Sequence, residues 1–171
     1  MRPRRVLLIA GALIALLVVP MAIAAKGGTD RPFKARLTGE VTFAFPGTCQ
    51  EVTTLTEATG QATHMGRIQT FWSHCPAEEN NANDGRLILV GANGDEVYGE
   101  YDYDNTSPDN SFPITVVGGT GRFASASGAL VVTYEVIPEF RCIPDPNSPF
   151  PCLDFSVPWQ WSGTLTGRIS Y

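Results

Sequence analysis

Histidine is the residue type that most often serves in catalysis or metal binding, and this sequence contains two. His64 and His74 are the only ones among 171 residues. They lack the H-x-x-x-H spacing with which a helix presents two imidazoles to zinc, and no G-x-S-x-G turn is present to carry a hydrolase nucleophile. His64 alternates with Ala62 and Gly66, which is typical of an ordinary strand histidine. We therefore predict neither a zinc site nor hydrolase activity.

The acidic segment DEVYGEYDYDNTSPDN, residues 95–110, suggests a calcium site. An EF-hand loop needs a glycine at its centre and a glutamate at its end. The D-x-D-x-T-S run has no such glycine, and Pro113 stands where the glutamate would be. The pattern favours a solvated hairpin loop instead, so we predict no metal site and no cofactor.

A glycine-rich motif, VVGGTGRFASASG, occupies residues 116–128. A phosphate-binding loop ends in Gly-Lys-Ser/Thr and leads into a helix whose N-terminus faces the anion. Here no lysine follows the glycines, and the next segment, ALVVTYEVI, has the pattern of a strand. We predict a strand corner in which glycines allow positive φ or close approach and a phenylalanine plugs the core. The residues of this motif are Gly118, Gly119, Gly121, Arg122, Phe123 and Gly128.

The N-terminus has the layout of a secretory signal peptide. MRPRR precedes an uncharged apolar run at residues 6–19, Pro20 breaks that run, and small residues lie one and three positions before Ala25. We predict a signal peptide at 1–24 and one domain at 25–171, exported to the extracellular space or the periplasm. An uncleaved anchor is the alternative, because the run extended through Ala25 is about as long as a bilayer-spanning helix.

The exported domain is expected to be acidic. The chain has 12 basic and 17 acidic side chains, and loss of Arg2, Arg4 and Arg5 with the signal peptide leaves nine basic ones and a net charge of −8. Phosphate backbones require a cationic surface. We therefore predict no nucleic-acid partner, and membrane contact only through the signal segment if it is not cleaved.

Four cysteines lie in the exported part of the chain. An even number of cysteines in an oxidising compartment predicts two disulfides. No two cysteines are closer than ten residues, unlike the C-x-x-C pairs of zinc sites. Three connectivities are possible, and we favour the sequence-local pairs Cys49–Cys75 and Cys142–Cys152.

Alternation of apolar and polar residues dominates the rest of the sequence. Asn93-Gly94 predicts a hairpin with a type I′ turn. Six prolines between 138 and 158 are incompatible with a ladder of hydrogen bonds, so we predict a long loop there, stapled by a disulfide. The evenly spaced strands predict an all-β sandwich or barrel. The predicted strands are 33–45, 59–72, 86–90, 96–101, 112–117, 129–137 and 159–171.

The glycine-rich motif also carries a family resemblance. VVGGTGRFASASGALVV resembles the signature of the dirigent and allene oxide cyclase-like β-barrels, a G-G-[TS]-G-x-F segment followed by A-x-G between two strands. TGQATHMGRIQTFW and GANGDEVYGEY are similar to segments of small secreted bacterial proteins with this motif. The resemblance spans residues 34–136 and the last strand. It implies a single antiparallel β-barrel of about eight strands.

The resemblance has consequences for chemistry and assembly. In plant dirigent proteins the position before the motif's last glycine is commonly an arginine, in a polar pocket that orients reactive intermediates. That position is Ser127 here, which argues against the same reaction. Dirigent-like barrels often assemble as trimers, so the resemblance also implies a possible homo-oligomer.

For the function, the sequence favours a secreted, non-catalytic barrel that binds a small apolar ligand in its interior. One alternative is a cyclase or isomerase that steers a reactive apolar substrate, and another is a packed barrel with a structural or surface-interaction role. A buried ionisable group in an open cavity would favour the cyclase, and a packed interior the structural role. The ligand-binding candidates are Arg67, Tyr98, Glu100, Tyr101 and Trp161.

Overall fold

A computed structural model gives the fold. It describes residues 28–44, 49, 53–75, 85–103, 106–136 and 158–171. The predicted signal peptide at 1–24, Cys142, Cys152 and all but the last residue of the predicted loop at 138–158 lie outside the described residues.

Eight antiparallel strands form a closed barrel, which confirms the predicted fold class. Each strand pairs with the next one in the sequence, and β8 also pairs with β1, where Ala35 lies opposite Leu165. This closure hydrogen-bonds the first and last strands to each other, so neither is left as an edge. The strands are β1 Arg31–Ala44, β2 Thr53–Ala62, β3 Gly66–His74, β4 Gly85–Gly91, β5 Glu96–Tyr101, β6 Ser111–Gly119, β7 Ser127–Val136 and β8 Trp159–Ser170.

Alternate residues of each strand fill the interior of the barrel. In β1, Phe33, Ala35 and Leu37 are at most 2% exposed, whereas Lys34 and Arg36 face solvent. Burial of each large apolar side chain contributes roughly 1.5–3 kcal/mol, so this alternation supplies most of the folding free energy. Large side chains that are at most 2% exposed include Phe33, Leu37, Ile68, Leu87, Leu89, Val97, Ile114, Phe123, Leu130, Val132, Leu165 and Ile169.

The segment 59–72, predicted as one strand, is a hairpin, so that prediction is wrong. β2 ends at Ala62, three residues turn, and β3 begins at Gly66. His64 lies in this turn with a φ of 67° rather than in a strand, and its Nε2 is 2.9 Å from the carbonyl oxygen of Pro32. Even-numbered residues face inward in both β2 and β3. The alternation therefore continues in phase through the turn and does not reveal it.

The hairpin between β4 and β5 is confirmed, but its turn type differs from the prediction. The N–H of Gly94 donates to the carbonyl of Gly91 at 2.9 Å, and the N–H of Gly91 donates to the carbonyl of Asp95 at 2.8 Å. Gly94 has a φ of 83°, whereas Asn93 does not adopt positive φ. A type I′ turn needs positive φ at both residues. The four-residue loop instead ends its turn on a left-handed glycine.

The glycine-rich motif forms a corner between β6 and β7. A single 3₁₀ turn, Gly121–Phe123, links the strands, and the Phe123 ring is fully buried. Gly121 has a φ of 54°, and a side chain there would collide with the carboxylate of Asp95. The Arg122 guanidinium lies 3.4 Å from that carboxylate and donates to the carbonyl of His64. The motif therefore joins three turns at one end of the barrel.

The two ends of the barrel differ. We call the end with the turns at 63–65, 92–95 and 120–126 the turn end, and the end with the four longer connections the loop end. At the loop end, Cys49 and Cys75 form a disulfide with Cα atoms 5.6 Å apart, which confirms this predicted pair. None of the described segments is a helix with the length and apolar character that a membrane crossing requires.

Candidate functional site

An aromatic cluster occupies the interior at the loop end. The alternation of inward and outward side chains along each strand explains its position, because each member occupies an inward position near the loop end of its strand or shortly after it. Four members are buried, whereas His74, Tyr103 and Tyr134 remain partly exposed. The members of the aromatic cluster are Trp72, His74, Tyr101, Tyr103, Phe112, Tyr134 and Trp161.

Edge-to-face contacts connect the rings of the aromatic cluster. Trp72 lies at the centre, with ring centroids 5.7 Å from Tyr101, 6.4 Å from Phe112 and 6.1 Å from Trp161. Phe112 in turn contacts Tyr134 at 6.1 Å. Such pairs add to the free energy of burial beyond their area and fix the ring orientations. The result is a wall of aromatic rings contributed by five strands and the residues next to them.

His74 is the partly buried imidazole of the cluster. Its Nδ1 lies 3.1 Å from the hydroxyl oxygen of Tyr101, and that hydroxyl also donates to the carbonyl of Ser73 at 3.3 Å. Desolvation lowers the pKa of His74 from 6.5 to about 4, because the charged form loses hydration that the surrounding rings do not replace. His74 is therefore neutral at physiological pH.

Tyr103 and Tyr134 form a hydroxyl pair across the loop end, with their oxygen atoms 3.2 Å apart. Burial, and secondarily the hydrogen bond with Tyr103, raises the pKa of Tyr134 above its ordinary value. Tyr134 therefore keeps its proton and remains a hydrogen-bond donor at neutral pH. Together with neutral His74, this pair makes the rim of the aromatic cluster polar but uncharged.

Three buried polar atoms of the interior have no hydrogen-bond partner among the described residues. They are Trp72 Nε1, Trp161 Nε1 and Thr70 Oγ1. Trp72 and Trp161 are 6% and 5% exposed, and Thr70 is fully buried. A buried polar group without a partner costs about 1–3 kcal/mol, because it loses its hydrogen bonds to water. Two donors of the aromatic cluster are therefore unsatisfied within the described residues.

The structure brings two of the five predicted ligand-binding residues into this cluster. Tyr101 and Trp161 face inward, whereas Arg67, Tyr98 and Glu100 lie on the outer wall. Glu100 forms an ion pair there with Arg86, and the Tyr98 hydroxyl donates to Glu96 at 2.5 Å, which raises the pKa of Tyr98. The expectation that Arg67, Tyr98 or Glu100 supplies a polar group inside the barrel is therefore not met.

A signal for this division was present in the sequence. Tyr98 and Tyr101 have opposite parity on one short strand, so only one of them can face inward. Alternation on β8 places Trp161 inside, and the same kind of alternation on β3 places Trp72 and His74 inside. Nothing in the sequence indicated that Tyr103 and Tyr134 would meet, because they are 31 residues apart and lie on or next to β7 and β5, which do not pair with each other.

The motif residues lie at the opposite end from the aromatic cluster. Gly118, Gly119, Gly121, Arg122 and Phe123 surround the corner between β6 and β7, and Gly128 is the second residue of β7. Ser127 begins β7 with an exposed side chain opposite Ser170. The position that resembles the dirigent arginine site is thus on the surface here and does not line the aromatic cluster.

A shallow groove with a volume of about 250 Å³ lies on the outer wall over β1, β2 and β3. It runs between two cross-strand rows, one of which sets Glu40 opposite Glu57 and Glu57 opposite Phe71. Gln160 donates to Glu40 at 2.6 Å. The side chains bordering the groove are solvated, so it would enclose a ligand poorly.

No metal centre is seen in the part of the chain that the structure describes: there, no three His, Cys, Asp or Glu side chains converge into a set that could hold an ion. The hydroxyl, imidazole and indole groups of the aromatic cluster suit hydrogen bonding to an uncharged molecule. The arrangement can thus bind and orient a ligand, and its aromatic faces can stack on one.

A solved structure shares this fold. The pterocarpan synthase dirigent protein GePTS1 superposes with a TM-score of 0.50 and 13% sequence identity, and the match covers 94% of this chain and 99% of that chain. No protein-family model matches the chain, and no curated protein sequence matches it. At this identity the similarity concerns the fold, which is the arrangement of the strands around the barrel.

Proposed function

We propose that this chain, which folds as a dirigent-like β-barrel, binds a small uncharged ligand in the aromatic cluster at the loop end and does so without catalysis. The observation that carries the proposal is the difference between the two halves of the interior. Apolar side chains fill the half toward the turn end, whereas at the loop end the polar residues His74, Tyr103 and Tyr134 are only partly buried and pack on buried rings. Aromatic walls with a few polar groups are typical of small-molecule sites.

The filled half also restricts where a ligand can bind. Phe33, Leu37, Phe123, Leu165 and Ile169 occupy that half and are at most 2% exposed. A close-packed protein interior does not admit a molecule without displacing side chains. The proposed site is therefore at the loop end, and access to it is from the side of the longer connections.

Binding of a neutral fluorescent probe tests this proposal. N-phenyl-1-naphthylamine is apolar and uncharged, and its emission rises when it leaves water. We expect saturable emission with the unmodified protein and a several-fold weaker affinity for Tyr134→Leu, which removes a ring from the rim. Tyr98→Leu is the matched control on the outer wall and should bind as the unmodified protein does.

Two results would contradict the proposal. Emission that stays linear up to tens of micromolar probe would leave the barrel with a structural or surface-interaction role. Equal effects of Tyr134→Leu and Tyr98→Leu would place the probe away from the aromatic cluster. Circular dichroism of both variants checks that each remains folded.

A cyclase or isomerase that steers a reactive substrate is the second candidate. The observation that favours it is the hydroxyl pair of Tyr103 and Tyr134, because a phenol that keeps its proton can orient a carbonyl or a leaving group. The solved structure with this fold is named a pterocarpan synthase. Pterocarpan formation can therefore be assayed with that protein as positive control. Product from this chain, lost in Tyr134→Phe, would support steering, and no product would leave the non-catalytic proposal.

We also propose that the protein acts outside the cytosol. The Cys49–Cys75 disulfide supports this, because disulfides persist in oxidising compartments and are rare in the cytosol. The apolar segment at 6–19 supports the same conclusion from the sequence. Fractionation of cells that express the chain, followed by immunoblotting, tests it.

A further inference from the structure

The three buried polar atoms without a partner belong to residues that are close neighbours on the inner face of the barrel. Trp161 on β8 is opposite Gly39 on β1, Gly39 is opposite Ala58 on β2, and Ala58 is opposite Thr70 on β3. Trp72 is two residues further along β3, on the same inward face. Trp72, Trp161 and Thr70 therefore belong to one continuous patch of the interior.

Small residues separate the polar members of this patch. A side chain at Gly39 would approach the Cβ of Ala58 to 2.5 Å, so the position cannot carry one. In this cross-strand row the methyl group of Ala58 is thus the one side chain between Trp161 and Thr70, because Gly39 has none. The two indole rings meet edge to face above it, at 6.1 Å and 88°.

The chemistry of the patch is that of a hydrogen-bond donor site. An indole N–H donates and cannot accept, and a threonine hydroxyl can do both. Burial without a partner is unfavourable for each of these atoms, and a phenylalanine at either tryptophan position would supply an apolar ring without that penalty. A ligand oxygen that accepts from these donors would remove the penalty upon binding. A carbonyl oxygen has two lone pairs and can take two donors at once.

We infer that the ligand of the aromatic cluster is an uncharged, largely apolar molecule with an oxygen acceptor, such as a ketone or an aldehyde, and that Trp72 and Trp161 donate their indole N–H groups to this oxygen. The inference rests on the proposed function, because it assigns a chemical class to the ligand of that same site. It makes Trp72 and Trp161 specificity determinants: they distinguish a carbonyl compound from a hydrocarbon of equal shape.

A matched pair of small probes tests the inference. Acetophenone and α-methylstyrene have the same shape, but the first has a carbonyl oxygen where the second has a methylene group. Each is titrated into isotope-labelled protein, and the indole N–H signals are followed by nitrogen–proton correlation NMR. The chain has three tryptophans, so the signals can be assigned with Trp72→Phe, Trp161→Phe and Trp159→Phe.

We expect acetophenone to bind about fivefold or more tightly than α-methylstyrene, which corresponds to one net hydrogen bond. It should move the indole proton signals of Trp72 and Trp161 downfield, as a new hydrogen bond does. Trp72→Phe and Trp161→Phe should reduce the ratio of the two affinities, which is the quantity compared because either variant also alters the ring surface that both probes contact. Trp159→Phe is the control, because the Trp159 ring packs on Phe43 at 4.8 Å, outside the aromatic cluster.

The outcomes separate the inference from the proposal on which it rests. Equal affinities for the two probes, or a preference that survives both Trp72→Phe and Trp161→Phe, would overturn the inference and leave ligand binding intact. If neither probe shifts any resonance of the aromatic cluster and N-phenyl-1-naphthylamine does not bind, both fail. A variant that loses the native spectrum is replaced by the other one, since removal of either indole N–H should reduce the preference.

Discussion

The imidazole of His74 stacks on the phenol ring of Tyr103, with ring centroids 4.2 Å apart and 16° between the planes. This contact joins the end of β3 to the residues that follow β5, at the rim of the aromatic cluster. It excludes water from one face of the imidazole, which is why desolvation dominates the titration of His74. The same two rings form part of the surface that a ligand would meet first.

We predict that stability falls as the pH is lowered from about 6.5 to about 4. The pKa of His74 is lowered to about 4 in the folded protein, so in this interval the unfolded chain binds the proton and the folded chain does not. The free energy of unfolding should decrease with a limiting slope of about 1.4 kcal/mol per pH unit. The decrease caused by His74 should level off below pH 4, where the folded protein is protonated as well. Urea titrations across the interval measure the slope.

The matched variants for this prediction are His74→Gln and His64→Gln. His74→Gln should lose the part of the pH dependence that His74 contributes, whereas His64→Gln, in the turn between β2 and β3, controls for general effects of acid. An unchanged slope in His74→Gln would show that carboxylates elsewhere dominate acid unfolding.

The disulfide at the loop end should contribute about 3.5 kcal/mol to stability. Cys49 and Cys75 are 26 residues apart, and closure of a loop of this length in the unfolded chain accounts for that magnitude. Cys49→Ala/Cys75→Ala should therefore unfold at lower urea concentration. Peptide mapping without reduction should recover the Cys49–Cys75 link from the unmodified protein, and its absence there would refute the assignment.

Two glycines with similar backbone angles should differ in their tolerance of alanine. Gly66 has a φ of 72° and open space around its missing side chain, whereas Gly121 has a φ of 54° and Asp95 in that space. Gly66→Ala should cost about 1–2 kcal/mol from backbone strain alone. Gly121→Ala should cost more, because it also displaces a carboxylate held by Arg122 and by Asn93 at 2.8 Å. Thermal melts compare the two, and equal shifts would contradict the collision.

Export with cleavage before Ala25 is expected from the sequence. The protein recovered from the medium or the periplasm should begin at Ala25, which N-terminal sequencing can establish. Ala24→Phe should block processing, because signal peptidases require a small residue directly before the cleavage site. Recovery of intact Met1 in the membrane fraction would support the anchor instead.

The barrel was largely predictable because period-2 alternation reports which face of a strand is buried, whatever the strand pairs with. β5, Glu96–Tyr101, has the predicted bounds, and β1, β4, β6, β7 and β8 agree with their predicted ranges to within two residues at each end. The missed hairpin between β2 and β3 shows the limit of this reasoning. Ala62 and Ile68 both face inward on even positions, so a tight turn left no mark on the pattern.

The candidate site was predictable only in part. Aromatic character on a strand predicts Tyr101 and Trp161, whereas residue type alone, without the parity of the position, predicts Arg67 and Glu100. On β3 and β5 those positions alternate with Ile68 and Tyr101, which are buried. A charged side chain at an outward position stays solvated, because burial would remove its hydration without a partner.

By itself, the sequence determined most of the strands, the corner after β6 and the alternation of inward and outward side chains, because these depend on local pattern and on the conformational freedom of residues such as Gly121. Only the tertiary structure decided that Trp72 on β3 meets Trp161 on β8 and that Tyr103 meets Tyr134. These contacts depend on register and barrel closure between segments far apart in the chain. It also decided that His74 is neutral and that two indole N–H groups are unsatisfied, because desolvation and hydrogen bonding depend on everything packed around a group.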